Sequence, residues 1–305
     1  MPAAAEQTMR FLDPNILRRL ENIELAARML VEGMYASRHR SPYYGYSVEF
    51  VDYREYSPGD DPRTIDWKAL ARTEKYFVKR FEMESNMNVV SLLDISASMG
   101  YRSAERSRLT KLEFGSFLVA SLSYLVTRQQ DSPGLVTFDR DIRDFVPPKQ
   151  GRRHFYTLLT RLESLKPGGE TDIARVLQGV ARRLTRRGIV VVVTDGYGDA
   201  GPVIDGIRHL RVRGHDVIVF HVLDHDELTF PFKALTSFRD METRSQVMTD
   251  PLRQHKDYMQ RLGKFLDDFG SGCASCGADY RLIDTTRPIE LVLRDYLLYR
   301  RQRAR

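Results

Sequence analysis

Four short runs of continuous apolar residues, each separated from the next by a segment of helical period, constrain this chain more than any other feature. They are Asn88–Asp94, Gly134–Phe138, Ile189–Asp195 and Asp216–Leu223; in the third, Val190 to Val193 are consecutive valines. A strand with one wet face alternates polar and apolar residues, so a run without alternation needs cover on both faces. The segments between the runs supply that cover. Lys111–Gln130 carries Leu112, Phe114, Phe117, Leu118, Leu122, Leu125 and Val126 on one side. Arg152–Leu165 ends at Pro167-Gly168-Gly169, Asp172–Arg187 ends at Gly188, and Val203–Arg213 ends at Gly214. Short strands alternating with such helices predict an α/β domain built on a doubly wound, mostly parallel sheet of the Rossmann type. Ile142–Val146 is expected to return as a hairpin across Asp139-Arg140-Asp141. A helix over Tyr258–Phe269, a strand over Asp279–Ile283 and a helix over Pro288–Arg300 complete the domain.

The region before it reads differently. Residues 14–32 hold Ile16, Leu17, Leu20, Ile23, Leu25, Ala27, Leu30 and Val31 near the helical period, opened by Asp13-Pro14 and stopped by Gly33. Residues 38–85, with many tyrosines and the turn-forming Pro58-Gly59-Asp60-Asp61-Pro62, predict irregular structure with short strands. The expected division is therefore 1–85, an N-terminal helix plus an irregular or β region, and 86–305, the α/β domain. Trp67, the only tryptophan, is expected to anchor the 56–67 segment on that domain, with contact to a partner as the alternative.

Composition excludes several classes. With 42% hydrophobic and 29% charged residues the chain can bury a core. No stretch approaches the roughly 18 apolar residues that would span a bilayer, and the N-terminus lacks the apolar region of a secretory signal. Two cysteines in 305 residues do not make a disulfide scaffold. A cytoplasmic protein is expected. The net charge of +6 is spread over the predicted helix ends, and no helix-turn-helix or zinc-finger spacing accompanies it, so nucleic acid is not an expected partner.

In such sheets ligands bind at the carboxyl ends of the strands. The first strand ends in Asp94-Ile95-Ser96-Ala97-Ser98, and the third in Thr194-Asp195-Gly196; between them Gly168-Gly169-Glu170-Thr171-Asp172 opens a helix. The loops would share one sheet edge and offer three hydroxyls, of Ser96, Ser98 and Thr171, and two carboxylates, of Asp94 and Asp195. Oxygen donors of low total charge suit a hard octahedral cation, Mg²⁺ or Mn²⁺. A cation left with net positive charge and an open position would attract an external carboxylate. Asp-x-Ser-x-Ser alone is a weak signal, since a strand-end Asp and turn-forming serines serve as well. The conjunction of three loops in order carries the reading.

That conjunction resembles the metal-ion-dependent adhesion site of von Willebrand factor A domains. Further segments are similar to those of a bacterial family with that fold, the domain of unknown function 58 proteins. They are Tyr56 to Trp67 with Ala71 and Arg72, then Val78, Arg80, Glu82 and Glu84, then Asp224 to Phe232, and Asp240-Met241-Glu242-Thr243. The resemblance implies a von Willebrand A-like fold, a divalent cation, no established enzymatic activity and partnership with a MoxR-type AAA+ ATPase. The expected function is a non-enzymatic, metal-dependent protein-interaction module acting as adaptor to such an ATPase, with an acidic residue of the partner or its client at the metal.

Two alternatives belong to other classes. A metal-assisted phosphohydrolase would use the same cation. A dinucleotide-binding protein would use Gly196-x-Gly198-x-x-Gly201 after a strand, although Asp195 and Asp199 put negative charge where a pyrophosphate would lie and Pro202 follows the third glycine. Cys273-x-x-Cys276 is read as a glycine-rich loop. His221, Asp224, His225 and Asp226 are read as a solvated strand-end loop rather than a metal cluster.

Overall fold

The structure, a computed structural model, describes residues 87–103 and 109–303, and before them Ala27, 50–56, Trp67, Leu70, Arg72 and 76–81. The predicted helix over 14–32 lies outside the described residues except for Ala27, which is helical and buried. The turn at 58–62 also lies outside them.

Two strands, β1 (Phe50–Glu55) and β2 (Phe77–Phe81), pair antiparallel as a ribbon. The large sheet follows: β3 (Asn88–Asp94), α1 (Lys111–Arg128), β4 (Ser132–Phe138), β5 (Ile142–Val146), α2 (Arg152–Glu163), α3 (Ile173–Arg183), β6 (Gly188–Thr194), α4 (Ala200–Val212) and β7 (Asp216–Leu223). After it come a short helix α5 (His225–Thr229), a hairpin of β8 (Thr236–Arg239) and β9 (Gln246–Thr249), α6 (Pro251–Ser275), β10 (Asp279–Asp284) and α7 (Ile289–Arg303). The strand order is β10-β7-β6-β3-β4-β5, parallel throughout except for the edge strand β5. This is the doubly wound, mostly parallel α/β class expected from the sequence, including the β4–β5 hairpin.

Alternate residues of the central strands feed two cores, as the pleat requires. Leu93, Val191, Val193, Ile218 and Phe220 pack with α1, α2 and α7 on one face; Leu92, Val190, Val192, Val217 and Val219 pack with α3, α4 and α6 on the other. The chain leaves β3 for β4 on one side and returns to β6 on the other. The strand order therefore reverses between β3 and β6, and the carboxyl ends of that pair form the crevice where α/β sheets bind ligands.

Several boundaries differ from the sequence reading. α3 ends at Arg183, four residues early, because Leu184 turns extended to carry the chain into β6. α6 starts at Pro251, capped by the Asp250 side chain, and runs to Ser275. It absorbs the segment read as a glycine-rich loop. Cys273 is a buried helical residue, and Cys276 sits at the helix end; both are free thiols. Glycine is needed there for packing: a Cβ on Gly272 would collide with the Ile204 side chain. The β8–β9 hairpin was not anticipated. Trp67 is 61% exposed, which does not fit the expected anchor.

Candidate functional site

Asp94 closes β3, and its buried carboxylate organises the site. Oδ1 accepts the Ser96 backbone N–H at 2.9 Å, which curls the chain into a 3-10 turn over Ala97–Gly100. Oδ2 accepts the hydroxyls of Thr194, at 2.7 Å, and Thr171, at 3.2 Å. The Ser96 and Ser98 hydroxyls are hydrogen-bonded to each other at 3.0 Å. One carboxylate thus ties together the ends of β3 and β6 and the loop before α3.

That loop is held by backbone contacts. Ala97 N–H donates to Gly169 O, and Gly168 N–H donates to Ile95 O. Gly169 adopts φ +83°, and a Cβ there would stand 2.7 Å from Asp139 Oδ2. A left-handed residue pressed against a carboxylate explains why the chain uses glycine immediately before the segment that delivers Thr171.

Asp195 follows β6 and is fully buried. Its Oδ2 accepts from Lys111 Nζ at 2.8 Å; Lys111 also donates to Glu227 Oε1 at 2.7 Å. Lys111 occupies the first turn of α1 behind a Thr110–Glu113 capping box. A cation there opposes the helix dipole, so the position makes sense only with carboxylates around it. Burial pushes the ammonium's pKa down, but Asp195 and Glu227 carry it above its usual value. Glu227 is fixed in turn by the Asp224 backbone N–H and the Tyr197 hydroxyl. His221 lies against the Asp195 carbonyl through Nε2 at 2.7 Å and against the Tyr280 hydroxyl through Nδ1 at 2.8 Å. Burial lowers its pKa to about 4, so the ring is neutral.

The five residues singled out in the sequence therefore occupy one crevice: Asp94, Ser96, Ser98 and Thr171 in a continuous hydrogen-bonded chain, Asp195 on the neighbouring strand end. Burial, and then Asp195, push the Asp94 carboxyl up to about 7. Asp195 Oδ1 is buried without a hydrogen-bond partner. Three carboxylates, of Asp94, Asp195 and Glu227, thus stand beside one ammonium, Lys111, which bonds the last two, so the site is short of positive charge. The donors fit Mg²⁺ or Mn²⁺, which would rest on the hydroxyls of Ser96, Ser98 and Thr171 and on Asp94 and Asp195. Among the described residues no group of three or more His, Cys, Asp or Glu side chains is gathered for a metal, so such a cation depends on the hydroxyls.

Sequence reasoning gave no role at the site to four further residues, although it quoted Thr194 at the strand end and Glu227 and Glu242 within segments similar to the family's. Thr194, Lys111 and Glu227 are three. The fourth is Glu242, at the tip of the β8–β9 hairpin, whose Oε1 accepts from Ser98 Oγ at 3.0 Å and whose Oε2 accepts from the Thr171 backbone N–H at 3.2 Å. Beside it a cavity of about 370 Å³ is lined by Tyr101, Tyr197, Phe230, Met241 and Tyr258.

The alternative sites do not assemble. Gly196 and Gly198 take positive φ, but the Asp199 side chain caps α4 by accepting from Gly201 N–H, occupying the helix N-terminus that a pyrophosphate would need. His221 and Asp224 are buried rather than solvated. Asp224 caps α5, and His225 pairs with Asp284 at 2.8 Å, so these residues serve separate contacts.

Residues 52–263 match the family "Protein of unknown function DUF58". The chain belongs to that family. It is 25% identical over 282 residues to Uncharacterized protein Rv1480 of Mycobacterium tuberculosis, covering 90% of this chain and 86% of that one. It is also 25% identical over 162 residues to Uncharacterized protein YeaD of Bacillus subtilis, covering 53% of this chain and 36% of that one. Among solved structures, BatB from Bacteroides thetaiotaomicron aligns with a TM-score of 0.46 and 19% identity, over 70% of this chain and 98% of that one. An aerotolerance-related membrane protein from Bacteroides fragilis aligns with a TM-score of 0.47 and 21% identity, over 68% and 96%. No helix among the described residues is long and apolar enough to cross a membrane.

Proposed function

We propose that this DUF58 protein is a metal-dependent protein-interaction module. In this reading Asp94, Ser96, Ser98, Thr171 and Asp195 hold one Mg²⁺ or Mn²⁺, and the cation captures an acidic residue of a partner. The partner is a MoxR-type AAA+ ATPase or that ATPase's client, and the module acts as its adaptor. The module binds and does not turn over: the site has carboxylates and hydroxyls, but Asp195 is engaged by Lys111 and His221 is neutral and committed to two hydrogen bonds. Two free thiols suit the cytoplasm in this reading.

The observation that carries the proposal is the buried, unpartnered Asp195 Oδ1 beside a second buried carboxylate whose proton affinity is raised. Titration calorimetry with Mg²⁺ and Mn²⁺ tests the metal, and pull-down of the ATPase with and without chelator tests the partner. Uptake lost in Asp94→Ala, together with chelator-sensitive capture, is expected. Absence of uptake at millimolar metal overturns the metal reading; capture indifferent to both chelator and Asp94→Ala overturns the docking.

A further inference from the structure

The hairpin tip brings a further carboxylate to the site, and it comes from this chain. Both Glu242 oxygens are used, one by Ser98 Oγ and one by the Thr171 backbone N–H, so Glu242 bridges two of the three loops that supply the proposed donors. The tip is shaped to present it. Asp240 Oδ1 accepts the backbone N–H groups of Glu242, at 2.8 Å, and Thr243, at 3.1 Å, while Asp240 N–H closes the turn on Ser245 O. Arg244 completes the reversal at φ +61°, a conformation that L residues adopt at a cost.

Electrostatics makes this placement informative. Asp94 and Asp195 are carboxylates fully buried in one crevice, where like charges repel, and the ammonium beside them, Lys111, is taken by Asp195 and Glu227. A further carboxylate adds to that repulsion, and two neutral donors offset it only in part. A bound cation reverses the sign. We propose that Glu242 is the chain's own acidic ligand for the metal centre: the β8–β9 hairpin closes in cis the position that a partner's carboxylate takes in trans. The inference rests on the metal reading given above.

The hairpin forms its own two-stranded sheet, with no strand paired to the six-stranded one. Its base is held by aromatic contacts away from the donors, with Phe238 stacked on Phe230 at 5.4 Å and edge-on to Phe232 at 5.0 Å. Val247 and Met248 are exposed rather than packed on the domain. An entering segment must therefore carry a carboxylate, and its apparent affinity is scaled down to the fraction of molecules in which Glu242 is disengaged. Removing Glu242 then has opposite effects on the two ligands: the metal is held less tightly and the partner's carboxylate more tightly.

The test compares wild type, Glu242→Gln and Asp94→Ala in the full chain, with Mn²⁺ as probe. Glu242→Gln keeps the hairpin's size and polarity. Expected are a loss in Mn²⁺ affinity of about tenfold or more, the lower end of what even an outer-sphere partner contributes, and a rise in water-proton relaxivity at saturation equivalent to about one added inner-sphere water. Mg²⁺ should slow amide exchange at 240–245 in wild type and not in Glu242→Gln. Equal affinity and equal relaxivity in wild type and Glu242→Gln overturn the inference while leaving the metal reading intact. Failure of wild type to take up Mn²⁺ overturns the metal reading and this inference with it.

Discussion

The two halves of the site are made of different material. On one side, Asp94, Ser96, Thr194 and Asp195 are all fully buried at the ends of adjacent central strands. Their positions follow from the registers of β3 and β6, which pair residue by residue from Asn88 and Gly188 onward. On the other side, Glu242 sits on a two-stranded ribbon of four-residue strands, with Leu235, Val247 and Met248 exposed around it. A ribbon of that size is marginal without support. The buried half is preorganised because the whole sheet holds it, while the hairpin half is held by the two Glu242 hydrogen bonds and by the contacts of Phe238 with Phe230 and Phe232. Proteins draw their moving elements from the least stable end of the structure, and here that end carries a carboxylate.

The sharpest way to break this contrast is at Lys111. Its side chain is fully buried, and it is the countercharge for Asp195 and Glu227. Lys111→Met leaves those acids without it, and removal of one partner from a buried pair costs about 3–5 kcal/mol. Denaturant unfolding should show a loss of that size, most of it restored in Lys111→Met/Asp195→Asn. Arg208→Ala, which opens the exposed pair with Asp205, should cost about 0.5 kcal/mol or less. If both variants lose the same small amount, the strand-end half is not the tightly balanced element argued for here.

A smaller effect is expected at Gly169. Any side chain there must accept a left-handed backbone, at roughly 1–2 kcal/mol, and must also displace Asp139, which pairs with Arg143 at 2.8 Å. Gly169→Ala should therefore lower stability by about that amount. It should also weaken Mn²⁺ uptake, because Thr171 lies two residues on. Loss of stability with unaltered uptake would separate Thr171 from the proposed donor set.

The sheet and the strand-end residues were legible in the sequence for a common reason. Burial on both faces forces unbroken apolar runs such as Val190–Val193, and the polar residue that ends such a run is already at the crevice. Asp94, Ser96 and Ser98 could be read because they are contiguous, and Asp195 because it follows the valines. Lys111 could not, and Glu242 stood out only within a segment similar to the family's, without its place at the site. Lys111 meets Asp195 across 84 positions, and Ser98 meets Glu242 across 144, and no local pattern encodes either contact. The start of α6 was missed because residues 252–257 are exposed and carry no apolar period, although Asp250-Pro251 is a cap-and-first-turn signal. The end of α6 was missed because Gly270 and Gly272 resemble a loop; Gly272 is glycine for contact with Ile204, a reason invisible without the fold.

The least disruptive prediction sharpens the comparison from the hairpin side. Phe238 is half-buried, stacks on Phe230 and meets Phe232 edge-on at 5.0 Å. Such aromatic pairs contribute about 0.5–1.5 kcal/mol each beyond the area they bury, and these contacts hold the hairpin base rather than the sheet. Phe238→Ala should therefore leave the global unfolding midpoint nearly unchanged while amide exchange over 236–249 accelerates by about tenfold, the equivalent of about 1.4 kcal/mol. Exchange in β3 and β6 should stay as in wild type. Were those strands to accelerate together with the hairpin, the hairpin would open only when the domain unfolds. The carboxylate at its tip would then be a fixed part of the sheet's crevice, with no independent motion by which a partner could replace it.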